Sequence, residues 1–346
     1  DVCSSDLLTP GMRVRFREID ADAMATRGEA GAAAGAPRVA TPQAARPHLE
    51  VTVAMLPALV QDLGRPGHAR LGVAPSGAAD RGALQRANAA VGNPPGLPCL
   101  EITLGSAAFR CAAQATEEIV VAFAGAPASI AVQRASGGIF EGAMEEPIAL
   151  RAGDSLRLGY PAQGLRSYLA VRGGFEAKRV LGSASRDTLA GLGPEPLVKG
   201  SALAVARATP SPAVAAADPA PVAASRLPAS GDTVVLDIRP GPRADGFTDA
   251  SLALLCRQPW QVTPQSSRVG LRLRGERPLQ RRDATELPSE GVVRGAIQVP
   301  HDGQTVLLLA DHPLTGGYPV IAVVAEHHRD LAGQIPPGAK VRFRAT

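Results

Sequence analysis

The feature that most constrains this chain is the shortness of its apolar runs. EIVVAFAG at 118–125, ASIAVQ at 128–133, PIALRAGDSLRLG at 147–159 and SYLAVRGGF at 167–175 are short runs broken by Gly, Pro or Asp turns. TVVLDIRPG at 233–241, GVVRGAIQVP at 291–300 and TVLLLA at 305–310 repeat the pattern. Short apolar runs between turn residues read as strands. Two stretches read as helices. Asp80 stands as N-cap before RGALQRANAAV, with apolar residues at 84, 87 and 91 and a stop at Gly92 and Pro94. DASLALLCR at 249–257 is the second, capped by Thr248 or Asp249. Many short strands with few helices predict a mainly β fold, closed or sandwiched, and not a doubly wound sheet.

One phrase recurs. PGMRVRFRE at 10–18 and PGAKVRFRA at 337–345 share six of nine positions, each a Pro-Gly turn followed by an alternating basic and apolar strand. Residues 1–7, DVCSSDL, are what the end of a common sequencing adapter encodes, so they are expected to be an artefact and Cys3 carries no weight. Residues 8–20 then read as the last strand of an upstream domain that is mostly missing. Residues 21–48 are an Ala-, Gly- and Pro-rich linker, and 208–229 a second one with Pro at 210, 212, 219 and 221. Two folded halves are therefore expected, at 49–207 and 230–346.

Composition narrows the function. With a net charge of +4, only 3% aromatic residues, and Arg mostly alternating with Asp and Glu, nucleic-acid binding is not expected. Four Cys without a C-x-x-C pair give no zinc spacing. His327 and His328 are adjacent, which makes a poor chelating pair and reads as solvated surface, so no metal site is expected. There is no run of eighteen apolar residues and no signal peptide, so the expected setting is the cytoplasm, away from membranes. No phosphate-binding loop, dinucleotide fingerprint or nucleophile elbow occurs, and no Met-Lys-Met marks a site for covalent biotin.

Four polar segments punctuate the strands, at 60–94, 266–276, 287–300 and 309–324. Arg65 and Arg268 have the donor fork that clamps a carboxylate. Asp62, Asp80 or Glu290 suit acid–base work if buried. The Gly316-Gly317 pair lets backbone N–H groups approach a carboxylate or carbonyl. Each residue has a plainer reading as a turn, a cap or a solvated edge, and only clustering of the four segments would separate the two.

The same segments carry a resemblance. QDLGRPG, PSGAAD, ANAAVGNPP, LEITLG, SYLAVRGGF, SSRVGLRL, SEGVVRGAIQVP and TGGYPVIAVV, in this order over about residues 49–346, resemble the allophanate hydrolase subunit 2 family, also called the biotin-dependent carboxyltransferase subdomain A/B family. Its members include the C component of 5-oxoprolinase, the regulator KipA and the carboxyltransferase part of urea carboxylase. The resemblance implies two cyclophilin-like β-barrel subdomains. It also implies a partner resembling the B component of 5-oxoprolinase, for which residues 8–20 look like a fused remnant, and a separate protein resembling the A component. The expected activity is ATP-dependent opening of 5-oxo-L-proline to L-glutamate, with ATP bound by residues that the sequence does not mark. Carboxyl transfer to urea or a related amide, or non-enzymatic control of a histidine kinase, are the alternatives.

Carried over by motif, Asp62, Arg268, Glu290 and Asp311 are the expected catalytic residues. Arg65, Ser76, Asp80, Ser267, Ser289, Gln298, Thr315, Gly316, Gly317 and Tyr318 are the expected substrate contacts. Three motifs depart from the family pattern. GSASRD at 182–187 has Ala184 and Arg186 where Arg and Thr are typical, Leu314 replaces a Thr, and Gly200-Ser201 replaces Gly-Asp.

Overall fold

The computed structural model describes residues 46–114, 117–206, 226–283, 285 and 287–346. The expected adapter segment, the strand at 8–20, most of the first linker and residues 208–225 of the second lie outside them.

The first half is built on two antiparallel sheets. The six-stranded sheet runs in the order Ala202–Ala204, His48–Ala54, Ala107–Ala112, Ser155–Leu158, Ile130–Gln133, Ile139–Gly142. The five-stranded sheet runs Leu59–Gln61, Cys99–Thr103, Arg166–Val171, Ile119–Gly125, Ile148–Leu150. Their facing sides share one core that includes Leu49, Phe109, Leu156, Ile102, Val121, Phe123, Leu169 and Val171.

Strand alternation then sends Ala122, Ala124, Tyr168 and Ala170 to the opposite face of the five-stranded sheet. Helix α1 (Arg81–Ala90) packs there through Ala83, Leu84 and Ala87. The Ala-rich face of these strands is what lets the helix lie close. The central strand Arg166–Val171 is consequently buried along its whole length.

The second half closes into a seven-stranded barrel. Its order is Thr233–Pro240, Val320–Val324, Ala296–Gln298, Thr305–Leu308, Gly270–Arg274, Trp260–Val262, Lys340–Ala345. The phrase PGAKVRFRA supplies the last strand: Val341 and Phe343 point into the barrel while Lys340, Arg342 and Arg344 face outward. It closes the ring by pairing parallel to Thr233–Pro240, with Thr233 opposite Lys340 and Ile238 opposite Ala345. Trp260 fills the interior, and its indole N–H donates to Leu255 O, 2.9 Å away, on helix α2 (Asp249–Arg257).

The mainly β class and both helices are as the sequence indicates. Asp80 caps α1 by accepting from Ala83 N, and Thr248, not Asp249, caps α2 by accepting from Ser251 N. Closure into a barrel is seen in the second half, whereas the first half consists of two facing sheets. Two of the runs divide into separate strands. Residues 147–159 turn at Arg151–Asp154, where Gly153 has φ of 82° and Asp154 accepts from Arg151 N. Residues 291–300 break before Gly295, which has φ of 91°. Among the described residues no helix is long and apolar enough to cross a membrane.

His327 and His328 differ from the solvated pair expected. His327 Nε2 lies 3.1 Å from Asp237 Oδ2, and His328 Nδ1 accepts from Asp237 N at 2.9 Å. Arg344 donates to the same carboxylate at 2.6 Å, and together these contacts hold the Asp237 pKa at about 2. The three ligand atoms cluster, yet the His328 lone pair is used and a guanidinium occupies the carboxylate, so the group works as a hydrogen-bonded clamp on the barrel rim.

Candidate active site

The site begins with a glycine-bearing loop. Gly64 and Gly77 have φ near 90° and lie back to back: a Cβ on Gly64 would meet Pro75 O at 2.5 Å, and one on Gly77 would meet Gly64 N at 2.9 Å. Asp62 organises this loop from within. Its Oδ1 accepts from Gly64 N and from the Ser183 and Ser185 hydroxyls, and its Oδ2 accepts from Ala184 N. Arg65 lies beside it, fully buried, donating to Val180 O and Ser185 O. GSASRD therefore wraps the Asp62 carboxylate, and position 184 contributes to that wrapping its backbone N–H.

The loop then reaches the barrel. Ser76, held at φ of 51° although it is not glycine, donates to Asp311 Oδ1 at 2.6 Å. Asp311 also takes both Nε and an NH2 of Arg268, at 2.8 and 3.0 Å, and the Thr188 hydroxyl at 2.7 Å. Arg268 donates further to Glu101 and to Gly77 O. Glu101 in turn accepts from Tyr168 OH and Ala79 N.

Ser76, Glu101, Tyr168, Arg268 and Asp311 are all buried, and the halves of the chain meet through them. The opposed Arg268 charge, joined by Arg166 at Glu101, holds both carboxyls below their ordinary pKa values against the cost of burial. The bidentate clamp expected of Arg268 is thus made, on a carboxylate of this chain.

Asp80 is buried between α1 and the barrel half. Its Oδ2 accepts from Gln334, and burial raises its pKa. Gln334 also accepts from Leu165 N and Arg166 N, so a single amide staples the start of one strand to a helix start.

Beside this junction opens a cavity of about 500 Å³. Its wall takes Ser76 and Arg81 from the first segment, Val292 to Arg294 from the third, and Ala310, His312 and Leu314 from the fourth. The second segment lies beneath it through Arg268, bonded to the Asp311 that follows Ala310. All four polar segments therefore converge.

Charge in the wall is mixed but unequal. Arg81, Arg294 and Arg329 face Glu326 and Asp330, leaving one uncompensated positive charge when the histidines are neutral. Asp330 spends its carboxylate on Gly82 N, at the start of α1, and on Arg294. Arg81 is exposed at the first position of α1, and its side chain makes no hydrogen bond among the described residues.

The remaining expected residues gather elsewhere. Glu290-Gly291 and Thr315-Gly316 pair as a two-stranded ribbon, with Glu290 opposite Gly316. Gln298 donates to Tyr318 O and packs so close to Gly316 that a Cβ there would fall 2.6 Å from its Nε2. Glu290 is ion-paired with Arg243, which lowers its pKa. Ser289, Thr315, Gly317 and Tyr318 are exposed on this ribbon and its flanks. The ribbon runs toward the cavity through Val292, whose N–H donates to Leu314 O. Ser267 sits at a turn, its hydroxyl accepting from Val269 N.

Three cavity residues escaped the sequence reading: Arg81, Arg294 and His312. Arg294 stands inside the quoted SEGVVRGAIQVP, and His312 directly follows Asp311, so the motifs contained them without marking them.

Residues 71–345 match the family described as carboxyltransferase domain, subdomain A and B. The chain is 35% identical over 289 residues to the C component of 5-oxoprolinase from Escherichia coli, covering 82% of this chain and 86% of that protein. It is 29% identical over 316 residues to urea amidolyase of Saccharomyces cerevisiae, covering 85% of this chain but 16% of that much longer protein. The crystal structure of TTHA0988 superposes with a TM-score of 0.70 at 30% identity, over 86% of this chain and 55% of that one, so this chain spans about half of it. Two facing sheets and a closed barrel are therefore this chain's form of a shared architecture, and it belongs to the carboxyltransferase domain, subdomain A and B family.

Proposed function

We propose that this chain is the C component of an ATP-dependent 5-oxoprolinase, opening the lactam of 5-oxo-L-proline to L-glutamate with partners that resemble the A and B components. The observation that carries this reading is the cavity at the junction: three guanidinium groups against two carboxylates suit a small ligand bearing one negative charge. 5-Oxoproline is such a ligand, a compact ring with one carboxylate. The likeness to the 5-oxoprolinase C component over most of that protein's length supports the same choice.

Arg81 is the group placed to receive the carboxylate, being at the positive end of α1. The buried junction keeps the cavity wall in place. ATP is a co-substrate of the assembled complex, and no phosphate-cradling loop is recognisable in this chain.

The test is reconstitution with both partners, followed by 5-oxoproline-dependent ATP hydrolysis and glutamate release. Arg81→Ala is expected to raise KM for 5-oxoproline about tenfold or more, the worth of one charge-assisted contact, while the protein stays folded. Absence of turnover in the complete complex would sink the reading.

The likeness to urea amidolyase supports a second reading, carboxyl transfer from biotin carried on another domain to urea or a related amide. Urea is neutral, so the two readings part on ligand charge. Urea-dependent ATP use that appears only with a biotinylated partner is the result that would select the second.

A further inference from the structure

His312 is a buried side chain with one free polar atom. Its Nδ1 lies 2.7 Å from Pro313 O, and a carbonyl oxygen has no hydrogen to give. The proton of the neutral ring therefore sits on Nδ1, which leaves Nε2 as a bare lone pair. Burial lowers the pKa of this imidazole and the Arg294 charge adds to the effect, which favours the neutral ring. Among the described residues Nε2 makes no hydrogen bond, and the ring lines the cavity.

The backbone that carries His312 is fixed. Asp311, its neighbour, is held by Arg268, Ser76 and Thr188, and Asp311 N donates to Arg268 O. Beside the guanidinium donors and the Glu326 and Asp330 carboxylates, the cavity thus presents a neutral nitrogen acceptor at a fixed place. Ser76 also lines it, and with its hydroxyl hydrogen given to Asp311 it has no donor left for a ligand.

We propose that His312 is the residue by which this site recognises a ring N–H: its bare Nε2 accepts a hydrogen bond from the amide nitrogen of a cyclic amide whose carboxylate is held by Arg81. This rests on the function proposed above and names the chemical group that the site selects. A ligand with a ring oxygen in place of N–H would bring a second lone pair against Nε2. Such a site should reject it strongly, since the loss is a hydrogen bond and the replacement a repulsion.

The test compares 5-oxoproline with its lactone counterpart, 5-oxotetrahydrofuran-2-carboxylate, which has the same ring and the same carboxylate. Both are measured on the complex of the full chain with its two partners, by calorimetric titration. The wild-type complex is expected to prefer the lactam about 100-fold. In His312→Phe, which keeps an aromatic ring in the buried position, the preference should collapse to within about threefold, through weaker lactam binding. His312→Gln, whose amide oxygen supplies an acceptor, should restore much of it.

A purely packing role would weaken both ligands equally and leave their ratio unchanged in His312→Phe, and that result would overturn the proposal. Equal binding of the two ligands by the wild-type complex would do so as well. Failure of the wild-type complex to bind either ligand is a different outcome: it removes 5-oxoproline as substrate, and the role of His312 with it. Thermal unfolding of both variants separates a misfolded protein from an altered site.

Discussion

Arg268→Met is expected to destabilise the protein by about 4 kcal/mol, the cost of removing one partner from a buried ion pair and leaving the other charged. The side chain makes four contacts at the junction: two with Asp311, one with Glu101 and one with Gly77 O. Methionine fills a similar volume, so the loss is electrostatic rather than a cavity. Glu101 keeps Arg166 within 3.4 Å, but Asp311 has no other cation among the described ion pairs. Asp311 is therefore where most of the penalty should fall.

The expected pH dependence has a definite sign. Glu101 and Asp311 have folded-state pKa values below their ordinary ones. Their contribution is therefore fully present above about pH 4 to 5, where the unfolded carboxyls ionise, and is lost as pH falls through the folded values. Urea unfolding at pH 7 should show the full gap between wild type and Arg268→Met, and the gap should shrink below about pH 4. A variant as stable as wild type at pH 7 but without turnover would instead give Arg268 the catalytic role that its motif position implies, and would defeat this account of the junction.

Asp62→Ala is the second large effect, also about 4 kcal/mol. Two backbone N–H groups and two serine hydroxyls converge on that one carboxylate, and hydrogen bonds to a charged acceptor are worth roughly 1.5–3 kcal/mol each before non-additivity is allowed for. Loss of the carboxylate frees the 183–185 turn from the 62–65 loop. Limited proteolysis should then cut near residues 180–190 in the variant and not in the wild type. Unchanged stability and an uncut turn would show that the loop is held by its backbone alone.

Much of the fold was legible because its causes are local. Asp80 and Thr248 cap their helices through atoms three residues away, and a reader of the sequence sees both partners. Strand runs were legible for the same reason, and their breaks at Gly153 and Gly295 less so, since each depends on one glycine adopting a positive φ. Pairing was not legible. Nothing near PGAKVRFRA announces that its partner is the strand starting at Thr233.

The site follows the same division. The four segments that form it stood out by composition, but their convergence is a product of tertiary structure. Glu101 lies in LEITLG and reads as the polar member of an alternating strand. It is buried because Tyr168 and Arg268, distant in sequence, meet it there. His312 had no periodicity to mark it, and its proposed role rests on a tautomer fixed by its own neighbour's carbonyl.

The seam of the barrel sets when the fold can close. Its two strands pair in parallel with partners 107 residues apart, so the ring stays open until the later strand has been synthesised. A parallel pair of such separation forms late, because loop entropy is lost before any contact compensates for it. During that interval Thr233–Pro240 has one unpaired edge, and Val234, Leu236 and Ile238 lack their cover. Translation rate and chaperone supply should therefore govern the yield of this protein more than the strength of its finished core does.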